Sequence, residues 1–185
     1  MDIGAKYYLQ YLSGDDQCVY ELVKEYSVGL TLYLNGIVNH IQVAEDLMEE
    51  TFFKIITKRP KYNGKSSFKT WFYTIGRNIA MDYLRKNKRI VDIPFEHLEN
   101  HIQKENDLYL QYLKEERKLM VHKALKKINT DYYQVLWLLY FEQLSHEEIS
   151  MIMKKNSRQI TNLVYRAKAA LRKELEKEGF EYEEL

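Results

Sequence analysis

The sequence predicts an all-α protein of two small helical domains, about 1–89 and 113–185, joined by a flexible linker at 90–112. Three observations carry that prediction. Only two prolines and seven glycines interrupt 185 residues. Apolar side chains recur at three- and four-residue steps over long stretches, the period of a helix with one buried face. Two capping patterns stand close together near the C-terminus, each opening a new apolar-periodic run.

The elements follow in order. From about Asp15 to Val38 the residues Val19, Leu22, Val23, Tyr26, Leu30 and Leu34 share one helical face. Asn39 is placed as the cap of a second helix running to about Lys58. That helix sets an acidic cluster (Glu45, Asp46, Glu49, Glu50) against Val43, Leu47, Phe52, Ile55 and Ile56. Pro60 halts it, and Asn63-Gly64 is turn chemistry. Ser66 or Ser67 caps a third helix through about Lys86, with Phe68, Trp71, Phe72, Ile75, Ile79 and Leu84 inward. Trp71 belongs to this core face, and Asp82 is spaced to pair with Lys86 one turn on. From Ile90 to Tyr112 the pattern weakens around Pro94 into the linker. Periodicity returns with Leu119, Met120, Ala124, Leu125 and Ile128. Thr130 or Asn129 then caps Asp131–Phe141.

The last segment is the most informative. Ser145 with Glu148 has capping-box spacing, and Asn156 with Gln159 repeats it. Only Lys154 and Lys155 separate the first helix from the second cap. From Lys154 to Lys173 there are seven basic residues and no acidic one. A short helix, a tight turn and a basic second helix is the geometry that seats one helix in the DNA major groove. Ile160, Leu163, Val164, Ala167, Leu171 and Leu175 face a core. Arg158, Thr161, Asn162, Tyr165 and Arg166 fall on the other side. Asn and Arg pair bidentately with adenine and guanine edges, and a Thr methyl meets a thymine methyl. A merely solvated basic face would need neither the double cap nor the short turn.

Net charge is only +1, but it is segregated. Residues 1–53 carry net −7, residues 54–89 net +10, residues 90–122 net −3 and residues 123–185 net +1. Blocks of alternating sign suggest two basic DNA-facing surfaces and an acidic surface for another partner. The longest apolar run, Val135–Phe141, is too short to span a bilayer, and no basic-then-apolar leader opens the chain. A cytoplasmic protein without membrane insertion is expected. Cys18 is the single cysteine, so no internal disulfide forms, and it is expected to pack as a small apolar residue. The five histidines are scattered, so no metal or cofactor is expected.

The two blocks together resemble the extracytoplasmic-function (ECF) sigma factors of the bacterial sigma-70 family. Ala44-Glu-Asp-Leu-Met-Glu-Glu-Thr-Phe-Phe53 is similar to region 2.2. Phe68-Lys-Thr-Trp-Phe-Tyr-Thr-Ile-Gly-Arg-Asn-Ile-Ala-Met-Asp-Tyr-Leu-Arg85 resembles regions 2.3 and 2.4. Ala124 through Leu171 resembles region 4. Glu50 stands where the family commonly has Gln, and Gln159-Ile160 replaces a frequent Thr-Val.

The resemblance implies a non-catalytic factor that brings core RNA polymerase to promoter DNA. It implies that Asp46, Leu47, Glu49, Glu50 and Phe53 dock on the polymerase clamp helices. It implies −10 element capture by the loop Tyr62, Asn63, Lys65, Ser66 and Ser67, with Arg77, Asn78, Arg85 and Lys86 beyond it. A base flipped out of the strand needs a polar pocket and a flat face to stack on. The −35 duplex falls to Arg158, Thr161, Asn162, Tyr165 and Arg166. An anti-sigma factor is a further partner that many members have. Two other readings stay open from residues alone. One is an ordinary helix-turn-helix regulator without sigma activity. The other is a helical metal-carboxylate enzyme using His40, Glu45 and Glu49, though it lacks the paired Glu-x-x-His motifs of such bundles.

Overall fold

The computed structural model describes residues 2–88 and 116–180. The linker expected at 90–112 and the end of the acidic tail lie outside them. Every regular element among the described residues is helical. The first four are α1 (Ile3–Leu12), α2 (Gln17–Val38), α3 (Ile41–Lys58) and α4 (Phe68–Lys88). The C-terminal half holds α5 (Glu116–Lys127), α6 (Thr130–Leu136), α7 (His146–Met153) and α8 (Ser157–Lys177). A π-turn, Trp137–Phe141, continues α6.

Helix α1 escaped the periodicity reading for a physical reason. Its buried stripe is Gly4, Ala5, Tyr8 and Tyr11, while the bulkier Ile3 and Leu9 face solvent. The strongest hydrophobes thus point away from the core. The tyrosines bury their rings and spend their hydroxyls on the far end of α3. Tyr8 donates to the Pro60 carbonyl and Tyr11 to the Ile56 carbonyl, both at 2.8 Å. Buried phenols of this kind fasten a helix only where an acceptor waits.

Asn39 caps no helix start. It closes α2 in the left-handed conformation (φ 53°), and His40 caps α3 instead, its Nδ1 accepting from Val43 N–H at 3.4 Å. Asn tolerates positive φ better than most residues, so its turn chemistry was real but served the previous helix. Arg59, also left-handed at φ 42°, ends α3 one residue before Pro60. Asp82 pairs with Arg85 at 2.8 Å rather than with Lys86.

The core of the N-terminal half is aromatic. Phe52, Phe68 and Phe72 are buried, with ring centroids 4.9 Å apart for Phe52–Phe72 and 5.7 Å for Phe68–Phe72. Trp71 is half-buried beside Tyr8 and Phe68, as its core assignment requires. Cys18 is buried, its thiol against the Asp15 and Gln10 side chains.

Asn129 caps α6. The helix expected to run on to Phe141 changes to i→i+5 winding after Leu136. That winding lays the Trp137 and Phe141 rings face to face, 4.4 Å apart and 8° from parallel. His122 of α5 packs against both rings. The two halves also touch: α2 meets α6, and α4 meets α7. Tyr133 of α6 donates to the Leu32 carbonyl at 2.9 Å.

His122 is 5 % exposed, and burial, then the nearby Lys126, push its imidazole from 6.5 down to about 4. The unfolded chain therefore takes up a proton that the folded one resists. This stabilising contribution is whole above pH 6.5 and is lost as pH falls toward 4. Between pH 7.5 and 4.5 the wild type should lose roughly 2–3 kcal/mol more than His122→Phe. Urea unfolding at the two pH values checks this; equal losses would show that the proton is taken up without cost.

Candidate nucleic-acid and polymerase interfaces

The C-terminal surface is built by its caps. Ser145 Oγ accepts from Glu148 N–H at 3.3 Å, and the Glu148 carboxylate accepts from Ser145 N–H at 3.0 Å. Asn156 and Gln159 exchange the same pair at 2.8 and 2.9 Å. Between them Lys154 adopts φ 54° and returns its N–H to the Ser150 carbonyl. Lys155 pairs with Asp131 at 3.3 Å. The turn needs no glycine because Lys154 absorbs the left-handed step.

Ile149, Ile152 and Met153 of α7 are buried, as are Ile160, Val164, Ala167 and Leu175 of α8. Leu163 and Leu171 are half-buried against the same core. That packing turns Arg158, Thr161, Asn162, Tyr165 and Arg166 outward together, with Tyr165 78 % exposed. Thr161 Oγ1 lies 3.3 Å from His146 Nδ1, tying the start of α7 to this face. Asn162 and Arg166, one turn apart, are both exposed and aimed away from the core.

On α3 the acidic stripe Asp46, Glu49 and Glu50 is exposed, and Phe53 stands 64 % exposed beside it. Leu47 departs from the other residues expected to dock on the clamp. It is 4 % exposed and belongs to the core beneath the stripe, so it shapes that surface without presenting itself.

The loop before α4 forms a cleft of about 590 Å³ lined by Tyr62, Asn63, Gly64, Lys65, Ser66, Ser67 and, from α1, Asp2, Ala5 and Leu9. Gly64 takes φ 69°, and Asn63 Oδ1 accepts from Lys65 N–H at 3.1 Å, which folds the loop tip. Tyr62 donates to the Ser66 carbonyl at 2.6 Å and packs against Phe68 and Trp71. Its ring is therefore held as one wall of the cleft.

Sequence reasoning missed Asp2. One carboxylate oxygen accepts from Ala5 N–H at 2.8 Å, the other from Phe68 N–H at 2.7 Å. A single carboxylate thus caps α1 and α4 and fixes the cleft's back wall. The local signal, an acid one residue before a helix, was present; the second bond, across 66 residues, had none.

Along α4 the expected residues divide. Lys86 and Arg85 are exposed, Arg85 paired with Asp82, and Asn78 is half-buried. Arg77 is 8 % exposed and donates from Nε to Gln134 Oε1 at 2.7 Å. Ser67 and Thr70 both donate to Glu148 Oε1, at 2.7 and 3.0 Å. Burial pushes the Glu148 carboxyl up, but the bonds from Ser145, Ser67 and Thr70 outweigh it and hold it below the usual glutamate value. No group of three or more metal-ligating side chains occurs among the described residues.

Family models match both halves: Sigma-70 region 2 over residues 22–90, and Sigma-70, region 4 over residues 118–171. RNA polymerase sigma factor SigV of Bacillus subtilis (strain 168) is 30% identical over 135 residues, covering 73% of this chain and 77% of the relative. The chain belongs to the sigma-70 family, as an ECF-type RNA polymerase sigma factor. Sigma factor YlaC of the same organism is 28% identical over 158 residues, 85% of this chain and 91% of the relative. The fold is shared with the sigma factor RpoE of Bartonella quintana, solved with the anti-sigma factor NepR: TM-score 0.65, 22% identity, covering 85% of this chain and 96% of that one. As a sigma factor the protein directs transcription initiation with RNA polymerase and is itself non-catalytic. No helix among the described residues is long and apolar enough to cross a membrane.

Each cap Asp2 provides is worth about 1 kcal/mol. Asp2→Ala should therefore lower stability by roughly 2–3 kcal/mol, and Asp2→Asn, which can still cap α1, by less. Denaturant midpoints of the two variants check this. An unchanged midpoint for Asp2→Ala would mean that α1 is held by its tyrosines alone.

Proposed function

We propose that this sigma factor divides its work among three surfaces. Residues 1–89 form the region 2 module, 90–112 the linker and 113–185 the region 4 module, acting in the cytoplasm. The exposed acidic stripe Asp46, Glu49 and Glu50, with Phe53, meets the polymerase clamp; an apolar ring rimmed by carboxylates suits a basic helical partner. The exposed face of α8 reads −35 duplex through Asn162, Arg166, Thr161 and Tyr165, with Arg158 on phosphate. The cleft at Tyr62–Ser67 takes a base from the −10 non-template strand, and Lys65, Asn78, Arg85 and Lys86 line the strand's onward path. Arg77 joins them once its contact with Gln134 is released. An anti-sigma factor of the sort bound to the Bartonella relative is a further partner for this chain. The observation that carries the reading is the pairing of a capped, outward-facing basic helix with a separate polar cleft in the loop before α4. One reads duplex and the other admits only an unstacked base.

Two results are expected. Reversing charge at Asp46 and Glu50 should weaken core polymerase pull-down while leaving the folded protein's circular dichroism unchanged; undiminished pull-down would remove the clamp assignment. Asn162→Ala and Arg166→Ala should each cost roughly 1–3 kcal/mol for the preferred −35 base. Tyr62→Ala and Asn63→Ala should spare −35 binding and impair strand opening. Transcription from duplex and pre-melted templates distinguishes them: the bubble should rescue the loop variants in part and the α8 variants not at all. Equal rescue of both classes would refute the division.

A further inference from the structure

We propose that His146 is a positioning residue for −35 reading: it holds the Thr161 hydroxyl against the protein, so that Thr161 meets the duplex with its methyl group and selects the 5-methyl of thymine. The inference deepens the −35 assignment above and rests on it.

Thr161 stands in the second turn of α8, on the exposed face it shares with Arg158, Asn162 and Tyr165. A helix docked in the major groove brings residues near its N-terminus to the base edges. A threonine there has two groups to offer, and they favour different bases. The hydroxyl bonds to several base edges and discriminates little, whereas the methyl packs on the thymine C5-methyl. Thr161 Oγ1 lies 3.1 Å from the Ser157 carbonyl one turn back and 3.3 Å from His146 Nδ1. A carbonyl only accepts, so the single hydroxyl proton goes to Ser157. His146 then donates from Nδ1–H, and Thr161 Oγ1 accepts. Both contacts turn the hydroxyl inward, and the methyl is what remains for a base.

The bond from α7 is the decisive one. Bonding back to a carbonyl one turn earlier is common for a helical threonine. Left to itself, however, such a threonine divides between two χ1 rotamers. A donor from a second helix selects one of them. His146 suits that task because it is the first residue of α7, directly after the Ser145 cap, and it is half-buried. Buried Ile149 and Ile152 of α7 and Ile160 and Val164 of α8 hold the two helices in contact. The imidazole is thereby carried to Thr161 by the same packing that turns the α8 face outward.

The test uses holoenzyme and the −35 duplex that it selects from a randomised library. Each thymine on either strand is replaced singly by deoxyuridine, which lacks only the 5-methyl group. The wild type should lose about fourfold in affinity at one thymine, the worth of one methyl-sized apolar contact. Thr161→Ser should erase that loss, and His146→Ala should largely erase it. His146→Asn should restore it, since Asn Nδ2 donates from the place of Nδ1. Thr161→Val keeps a methyl where threonine has one and has no hydroxyl to hold, so it should keep the loss with or without His146→Ala. A merely structural role for His146 would weaken binding to thymine and deoxyuridine duplexes alike and leave their ratio unchanged. A ratio undiminished in His146→Ala would therefore overturn the positioning role. If no thymine responds, or if Thr161→Ser keeps the response, while Asn162→Ala and Arg166→Ala still relax base preference, the methyl reading is overturned. If Asn162→Ala and Arg166→Ala relax no preference either, the −35 assignment of α8 fails and the proposal falls with it.

Discussion

Helix α4 and the loop before it carry a charge that they cannot balance alone. Residues 54–89 contain eleven basic side chains and one acid, Asp82, which Arg85 already engages. In this structure carboxylates from three elements converge on the helix's N-terminal half, one on a cation and two on neutral donors. Asp2 sits on the Phe68 amide, where a carboxylate also meets the positive end of the helix dipole. Glu142 reaches Lys69, and Glu148 reaches Ser67 and Thr70. The tie of α1 to α4, the back wall of the loop cleft and the polar contacts between α4 and the C-terminal half share these carboxylates.

The π-turn is what lets the α6 segment reach α4 at two places, through Gln134 and through Glu142. Gln134 and Glu142 are eight residues apart, and a straight α-helix would leave them about 80° apart around its axis. The i→i+5 winding over Trp137–Phe141 takes back part of that rotation. Both side chains then face α4, one at Arg77 and the other at Lys69. Trp137 secures the arrangement, stacking on Phe141 and donating from Nε1 to Glu142 at 3.2 Å. Gln143, left-handed at φ 56°, then turns the chain toward α7. A local irregularity at this place fits the observation that π-turns gather where a helix serves function rather than length.

The legible parts of this protein were those whose chemistry is local. Both capping boxes, the faces of α8 and the core side of α4 are written within a few residues of where they act, and the structure shows them. The illegible parts depend on partners far along the chain. Leu47 looked like a docking residue because Asp46 precedes it and Glu50 lies three residues on, yet the packing of α3 on α2 and α4 buries it. Arg77 looked like a phosphate ligand because it sits in a basic helix, yet Gln134, 57 residues on, takes its guanidinium. Helix α1 was invisible because tyrosines and small residues, not aliphatic ones, form its buried stripe. Asn39 and His40 exchanged roles because turn residues mark a boundary without saying which helix they serve.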